Sequence, residues 1–82
     1  MEYFLSAHAR RRMAERLIPE SLVEEALANP TKVGYDDKGR ILVKKLYTLL
    51  GKKRLLLIAA EPKGNKLKII TVIDTSKIKK YL

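Results

Sequence analysis

The sequence predicts an α+β domain in which two N-terminal helices pack across one face of a four-stranded antiparallel sheet (ααββββ). Three observations support this prediction: apolar residues up to Pro30 recur at helical spacing, the rest of the chain consists of short apolar runs, and Gly, Asp and Asn mark the turns between those runs. Short turns of this kind join antiparallel neighbours. Residues 1–82 are expected to form a single domain.

Two helices are expected before the strands. Ser6 is suited to cap the first, which covers residues 7–17 and contains neither Gly nor Pro. Its buried stripe should consist of Leu5, Ala9, Met13 and Leu17. The second helix is expected over residues 19–29, with Pro19 in its first turn and Asn29-Pro30 ending it. Its apolar face comprises Leu22, Val23, Ala26 and Leu27.

Four strands are expected after Pro30, over residues 31–35, 40–50, 54–60 and 66–74. The turns between them fall at residues 36–39, 51–53 and 61–65. The third strand is an unbroken apolar run, which is typical of a strand buried on both sides. The basic tail, residues 75–82, should form either a last helical turn or an extension of the sheet edge.

The chain is strongly basic. Lys and Arg number 18 against 9 Asp and Glu, giving a net charge of +9 that attracts polyanions. Nucleic acid is the leading partner class, and an acidic protein is the main alternative. Binding to an anionic membrane is less favoured, because neither helix pairs a bulky apolar face with a wholly basic opposite face.

Several chemistries are excluded by composition. The chain has no cysteine and one histidine, so disulfides, thiol nucleophiles and cysteine zinc motifs are absent. We therefore expect neither a metal nor a cofactor. The N-terminal residues lack the apolar run of a signal peptide, and no segment reaches the roughly 20 apolar residues that span a bilayer. A cytoplasmic location is expected.

The first predicted helix carries the most specific pattern in the chain. His8, Arg12 and Arg16 are spaced four residues apart and form a ridge along one side of that helix. One interpretation is structural: the two arginines cap carbonyls or pair with acidic residues of the second helix, namely Glu20, Glu24 or Glu25. The other is that the ridge contacts a substrate.

The ridge has the groups needed for metal-free RNA cleavage. A neutral imidazole can accept the 2′-hydroxyl proton of RNA while neighbouring guanidinium groups hold the scissile phosphate. A second proton donor is then required for the leaving 5′-oxygen, and Tyr47 and Tyr81 are the candidates. The candidate catalytic residues are thus His8, Arg12, Arg16 and Tyr81. The candidate RNA contacts are Arg11, Lys44, Lys45, Thr71 and Lys80.

Several of these positions also carry a family resemblance. The pattern comprises Ser6-x-His8-Ala9-x-x-Arg12-Met13-x-Glu15-Arg16, Val23-x-x-Ala26-Leu27 with Asn29-Pro30, Ile70-Thr71-Val72, and Lys80-Tyr81. It resembles the bacterial and archaeal domain-of-unknown-function family 4258 over nearly the whole chain. That family is grouped with RelE-like and colicin-type ribonuclease toxins.

The resemblance implies a RelE-like fold and a metal-independent endoribonuclease of toxin–antitoxin type. His8, Arg12 and Arg16 occupy the matched motif positions. The implied partners are RNA, including ribosome-associated RNA, and an acidic antitoxin protein. The competing hypothesis is a non-catalytic module that binds RNA or protein through its basic face. An exposed edge strand could pair with an antitoxin segment or with a second copy of the chain, giving a homodimer.

Overall fold

One five-stranded sheet and three helices make up the computed structural model, which describes residues 2–82. In chain order the elements are β1 (Tyr3–Leu5), α1 (Ala7–Arg16), α2 (Glu20–Ala28), β2 (Lys32–Tyr35), β3 (Ile41–Leu49), β4 (Lys52–Lys63), β5 (Lys66–Thr75) and α3 (Ile78–Tyr81). The strand order across the sheet is β1-β5-β4-β3-β2. Every helix within residues 2–82 falls short of the length and apolar character needed to cross a bilayer.

The prediction of four antiparallel strands is wrong, because β1 adds a fifth strand that runs parallel to β5. Tyr3 lies opposite Leu67, and Leu5 lies opposite Ile69. A strand of three residues is too short to show the alternation that identifies strands in a sequence. Its partner strand, β5, also lies near the other end of the chain, so no local turn signal in the sequence indicates the pairing. The chain is α+β, with a mixed sheet.

Ser6 starts α1, as its position in the sequence predicts. Its Oγ accepts a hydrogen bond from the N–H of Ala9 at 3.0 Å and donates one to the carbonyl oxygen of Ile70 at 2.9 Å. The same side chain therefore caps α1 and ties it to β5. The helix ends at Arg16, one residue earlier than predicted, because Leu17 takes a left-handed conformation with φ of 55°.

Both long helices pack on the same face of the sheet, which we call the helix-covered face; Val43, Leu56 and Val72 lie on it. Ala9 of α1 and Ala26 of α2 have no exposed surface, and these small side chains let the helices approach the strands closely. The turn between α1 and α2 is thereby held beside the ends of β3 and β5.

The β3–β4 hairpin is tighter than expected. Its loop is Leu50-Gly51, with φ of 51° and 78°, which is the type I′ pattern. The predicted turn over residues 51–53 is thus shifted, and Lys52 and Lys53 belong to β4. Strand β4 also continues to Lys63, so that only residues 64 and 65 separate it from β5.

The opposite side of the sheet, which we call the open face, carries Leu42, Leu57 and Ile73 and is partly covered by the C-terminal residues. The tail forms the helical turn α3. The Nζ of Lys32 in β2 donates to the backbone oxygen of Leu82 at 3.0 Å, so the tail crosses the sheet from β5 to β2.

Candidate functional site

A cavity of about 360 Å³ opens between the α1–α2 turn and the ends of β3 and β5. This volume lies within the range of about 300–1,000 Å³ found for small-molecule sites. The helices contribute Arg16, Leu17, Ile18, Pro19, Ser21, Leu22 and Glu25 to its wall, and the sheet contributes Tyr47, Leu49 and Asp74. We call it the main cavity.

Two of its lining residues, Tyr47 and Asp74, belong to a hydrogen-bonded cluster that Arg54 completes. The Tyr47 hydroxyl donates to Oδ1 of Asp74 at 2.5 Å. The Arg54 guanidinium donates through Nε to both Asp74 oxygens at 3.0 Å, and its second nitrogen lies 2.9 Å from Oδ2. Sheet register creates this cluster, because Tyr47 lies directly opposite Arg54 and Asp74 lies opposite Leu56 in the next strand pair.

The cluster keeps the phenol protonated. Burial and then the hydrogen bond to the Asp74 carboxylate raise the pKa of Tyr47 from 10.0 to about 12. The same carboxylate raises the pKa of the Arg54 guanidinium. At neutral pH the wall of the main cavity therefore carries a neutral phenol, Tyr47, beside the Asp74 carboxylate, whose charge Arg54 pairs.

Arg12 and Arg16 converge on the outer edge of β5. Together with Val72, Ile73 and Asp74 they line a smaller hollow of about 110 Å³, and Arg16 lines the main cavity as well. Within residues 2–82 neither arginine forms a salt bridge. The interpretation that they pair with acidic residues of the second helix thus finds no ion pair to support it.

The acidic residues of α2 have other contacts. The hydroxyl of Tyr3 donates to Glu20 at 2.7 Å. Glu25 lies 3.5 Å from the Nζ of Lys45. Arg16 and Glu25 therefore line one cavity without forming an ion pair with each other.

The start of α2 also borders the main cavity. Its N-cap position is Pro19, whose side chain forms no capping hydrogen bond. The first backbone N–H groups of the helix consequently lack a side-chain acceptor, and the positive end of the helix dipole lies beside Arg16.

His8 lies two turns before Arg16 on α1 and is exposed. It lines neither the main cavity nor the smaller hollow. Arg11 is also exposed on α1 and lines neither of them. The structure therefore brings together two of the three ridge residues at the cavities, with His8 farther along the helix.

Lys45 is occupied by contacts within the protein. Its Nζ donates to the backbone oxygen of Asn29 at 2.6 Å, in addition to its contact with Glu25. This lysine ties β3 to the end of α2.

The remaining predicted residues lie on the open face. Lys44, Thr71 and Tyr81 line a third hollow there, of about 200 Å³. The Nζ of Lys80 lies 5.4 Å from the centre of the Tyr81 ring, within cation–π distance. The structure thus separates the predicted set into two groups on opposite faces of the sheet, with Tyr81 on the side away from the main cavity.

Sequence reasoning overlooked Arg54 and Asp74. Placing the β3–β4 turn at residues 51–53 puts Tyr47 opposite Leu57, whereas the observed two-residue loop puts it opposite Arg54. Asp74 carries a signal of its own, since it follows Val72 by two residues and so shares the face of that buried side chain.

Comparison with known proteins identifies the family of the chain. No curated protein and no solved structure matches the chain. A family model described as "Domain of unknown function (DUF4258)" matches residues 5–74, a span that runs from the end of β1 to Asp74 and includes Arg12, Arg16 and Tyr47. The chain therefore belongs to the DUF4258 family.

Proposed function

We propose that this protein binds single-stranded RNA along the ridge formed by His8, Arg12 and Arg16, and cleaves it without a metal ion. The observation that carries the proposal is the pair of guanidinium groups, Arg12 and Arg16, which border two adjoining hollows and form no salt bridge within residues 2–82. Unpaired arginines at a concave surface suit phosphate, which they bind through parallel hydrogen bonds.

The spacing of the ridge fits a nucleic-acid backbone. Residues four apart on a helix are separated by about 6 Å along its axis. This distance is comparable with the separation of neighbouring phosphates in an extended single strand. Successive phosphates can therefore contact Arg12 and Arg16, and the net charge of +9 draws the strand to the protein.

The proposed reaction is an internal transesterification. His8 accepts the proton of the 2′-hydroxyl, and the 2′-oxygen bonds to phosphorus while the bond between phosphorus and the 5′-oxygen breaks. Arg12, one helical turn from His8, stabilises the extra negative charge on the scissile phosphate, while Arg16 holds the next phosphate. The leaving 5′-oxygen takes a proton from a phenol, and we assign this role to Tyr47, whose hydroxyl donates to Asp74, a residue that lines the smaller hollow together with Arg12. The products are a 2′,3′-cyclic phosphate and a free 5′-hydroxyl.

In this proposal the protein is a toxin-type ribonuclease of the RelE-like and colicin-type group, acting on cytoplasmic messenger or ribosome-associated RNA. An acidic antitoxin is its protein partner, in keeping with the basic surface. A non-catalytic RNA-binding module is the second candidate. It is favoured by one observation: His8 is exposed and borders neither cavity.

Incubation of purified protein with RNA in EDTA tests the proposal. We expect cyclic-phosphate products with the wild-type chain and a rate about 100-fold or more lower for His8→Ala. Arg12→Ala and Arg16→Ala should weaken both binding and cleavage. Arg10→Ala is the matched control, because it removes the same charge from an exposed position of α1 that borders neither cavity.

Each outcome assigns the protein to one class. Intact RNA at every protein concentration, with tight binding that depends on Arg12 and Arg16, supports the non-catalytic module. If Arg10→Ala weakens RNA binding as much as Arg12→Ala does, the ridge is not the binding surface.

A further inference from the structure

Besides Arg16, the main cavity is lined by residues that the proposed phosphate contacts do not use. Arg16 and the carboxylate of Glu25 both line it but form no ion pair with each other. Leu17, Leu22 and Leu49 supply apolar wall between these polar groups. A site with a cationic side, an acidic side and apolar walls suits a ligand that has an anionic group, a flat apolar body and hydrogen-bond donors.

Leu17 is the least expected part of this wall. Its side chain is 88% exposed, and its φ of 55° is a conformation that Gly or Asn adopts at lower cost. Burial in the core therefore does not explain a leucine at this position. Leu49, also on the cavity wall, is 52% exposed. Both apolar side chains are available to pack against a flat ligand at the cavity mouth.

Glu25 determines which ligand fits best. Its side chain is 54% exposed, and its contact with Lys45 at 3.5 Å restricts its position without using all of its acceptor capacity. An ionised carboxylate only accepts hydrogen bonds. Among the RNA bases, guanine alone presents two adjacent donors, N1–H and the N2 amino group, which can bind one carboxylate together. Uracil presents a single N–H between two carbonyl oxygens that the carboxylate repels.

We infer that the main cavity binds a guanine base of the RNA, with Glu25 accepting hydrogen bonds from its donor edge and Leu17 and Leu49 packing against its ring. This inference rests on the proposed function, and it assigns a base preference to the same site. The phosphate of that nucleotide lies on Arg16, at the junction of the two hollows. The α1–α2 turn thus reads one base while the α1 ridge holds the backbone.

Titration of the intact chain with the four 5′-mononucleotides, followed by NMR chemical shifts, tests the inference without cleavage. We expect GMP to bind roughly tenfold more tightly than UMP, with AMP and CMP between them, since a bidentate base contact discriminates by about that factor. Glu25→Gln should reduce the preference for GMP to about twofold. Glu15→Gln, the same change at an exposed position of α1, should leave it unchanged.

The Leu17→Gly variant tests how much the apolar wall contributes to nucleotide affinity, separately from the Glu25 contact. It should weaken all four nucleotides by a similar factor and keep the order of preference. The melting temperature of this variant should not fall, because glycine suits the left-handed conformation, so a loss of binding cannot be attributed to unfolding.

The outcomes distinguish the inference from the proposed function. RNA binding with equal affinities for the four nucleotides overturns the inference and leaves the proposed function standing. A GMP preference that persists in Glu25→Gln also overturns it. Selective GMP binding without any binding of RNA supports the cavity as a guanine site and contradicts the proposed function.

Discussion

At the scale of single residues, the site depends on side chains whose contacts are unusual for their type. Asp74 is half-buried on the helix-covered face and is held there by Tyr47 and Arg54. Leu17, on the wall of the main cavity, adopts positive φ and is almost fully exposed, and Leu50 in the β3–β4 loop does the same outside the site. These leucines gain little from folding, whereas the Asp74 cluster gains hydrogen bonds to a charged group, which are stronger than those between neutral groups.

Tyr47 should make the free energy of unfolding depend on pH in the alkaline range. Its pKa is 10.0 ordinarily and about 12 in the folded chain, so the folded state retains this proton over a pH range where the unfolded state loses it. The stabilisation that results from this raised pKa is fully present below pH 10 and is lost as the pH rises through 12. Urea unfolding from pH 8 to 12 should therefore show that the stability difference between wild type and Tyr47→Phe shrinks over this range.

The comparison with Tyr47→Phe is needed because burial and Glu20 raise the pKa of Tyr3 as well. Tyr3 contributes equally to both proteins, so it cancels in the difference. A difference that stays constant from pH 8 to 12 would mean that folding does not raise the pKa of the Tyr47 hydroxyl.

At the scale of secondary structure, Ser6 links α1 to the sheet through two hydrogen bonds. Ser6→Ala removes both and should lower the free energy of unfolding by about 1–2 kcal/mol. Ser6→Asp keeps an acceptor for Ala9 but has no donor for Ile70, so its effect should be smaller. Urea denaturation measures both.

Ser76→Ala is the control, since that serine is exposed and its change should alter stability by no more than about 0.5 kcal/mol. Equal stability of Ser6→Ala and wild type would contradict the role of Ser6 as a joint between helix and strand.

Some elements could be predicted from the sequence and others could not. Helix α1 follows from local signals, Ser6 and an uninterrupted helical spacing, and it forms at nearly the expected bounds. Strand β1 has no such signal, because parallel pairing with β5 depends on residues distant in the chain. The β3–β4 loop also escapes prediction, since Leu50-Gly51 lacks the Asn-Gly or Asp-Gly pair typical of type I′ turns.

The same limit applies to the candidate site. The spacing of Arg12 and Arg16 on α1 is evident from the sequence, and both line the smaller hollow. The partnership of Tyr47 with Arg54 requires the correct hairpin register. The contact between Arg54 and Asp74 requires the correct register of β4 and β5. That register shifts between Ala59 and Ala60 and leaves Ile70 unpaired.

At the scale of the whole molecule, the sheet separates two surfaces with different character. The helix-covered face ends in the main cavity, beside the arginines of α1. The open face carries Lys44, Thr71 and Tyr81 around an apolar hollow. In the proposed function, the RNA strand lies on the α1 ridge and does not contact the open face.

The salt dependence of RNA binding tests the central claim most directly. For a single strand, the logarithm of affinity falls with the logarithm of salt concentration by about 0.7 for each phosphate contacted. We predict that Arg12→Ala and Arg16→Ala each make this slope shallower by about 0.7, whereas Arg10→Ala leaves it unchanged. Slopes that are the same for wild type, Arg12→Ala and Arg16→Ala would contradict the account, because these guanidinium groups would then hold no phosphate.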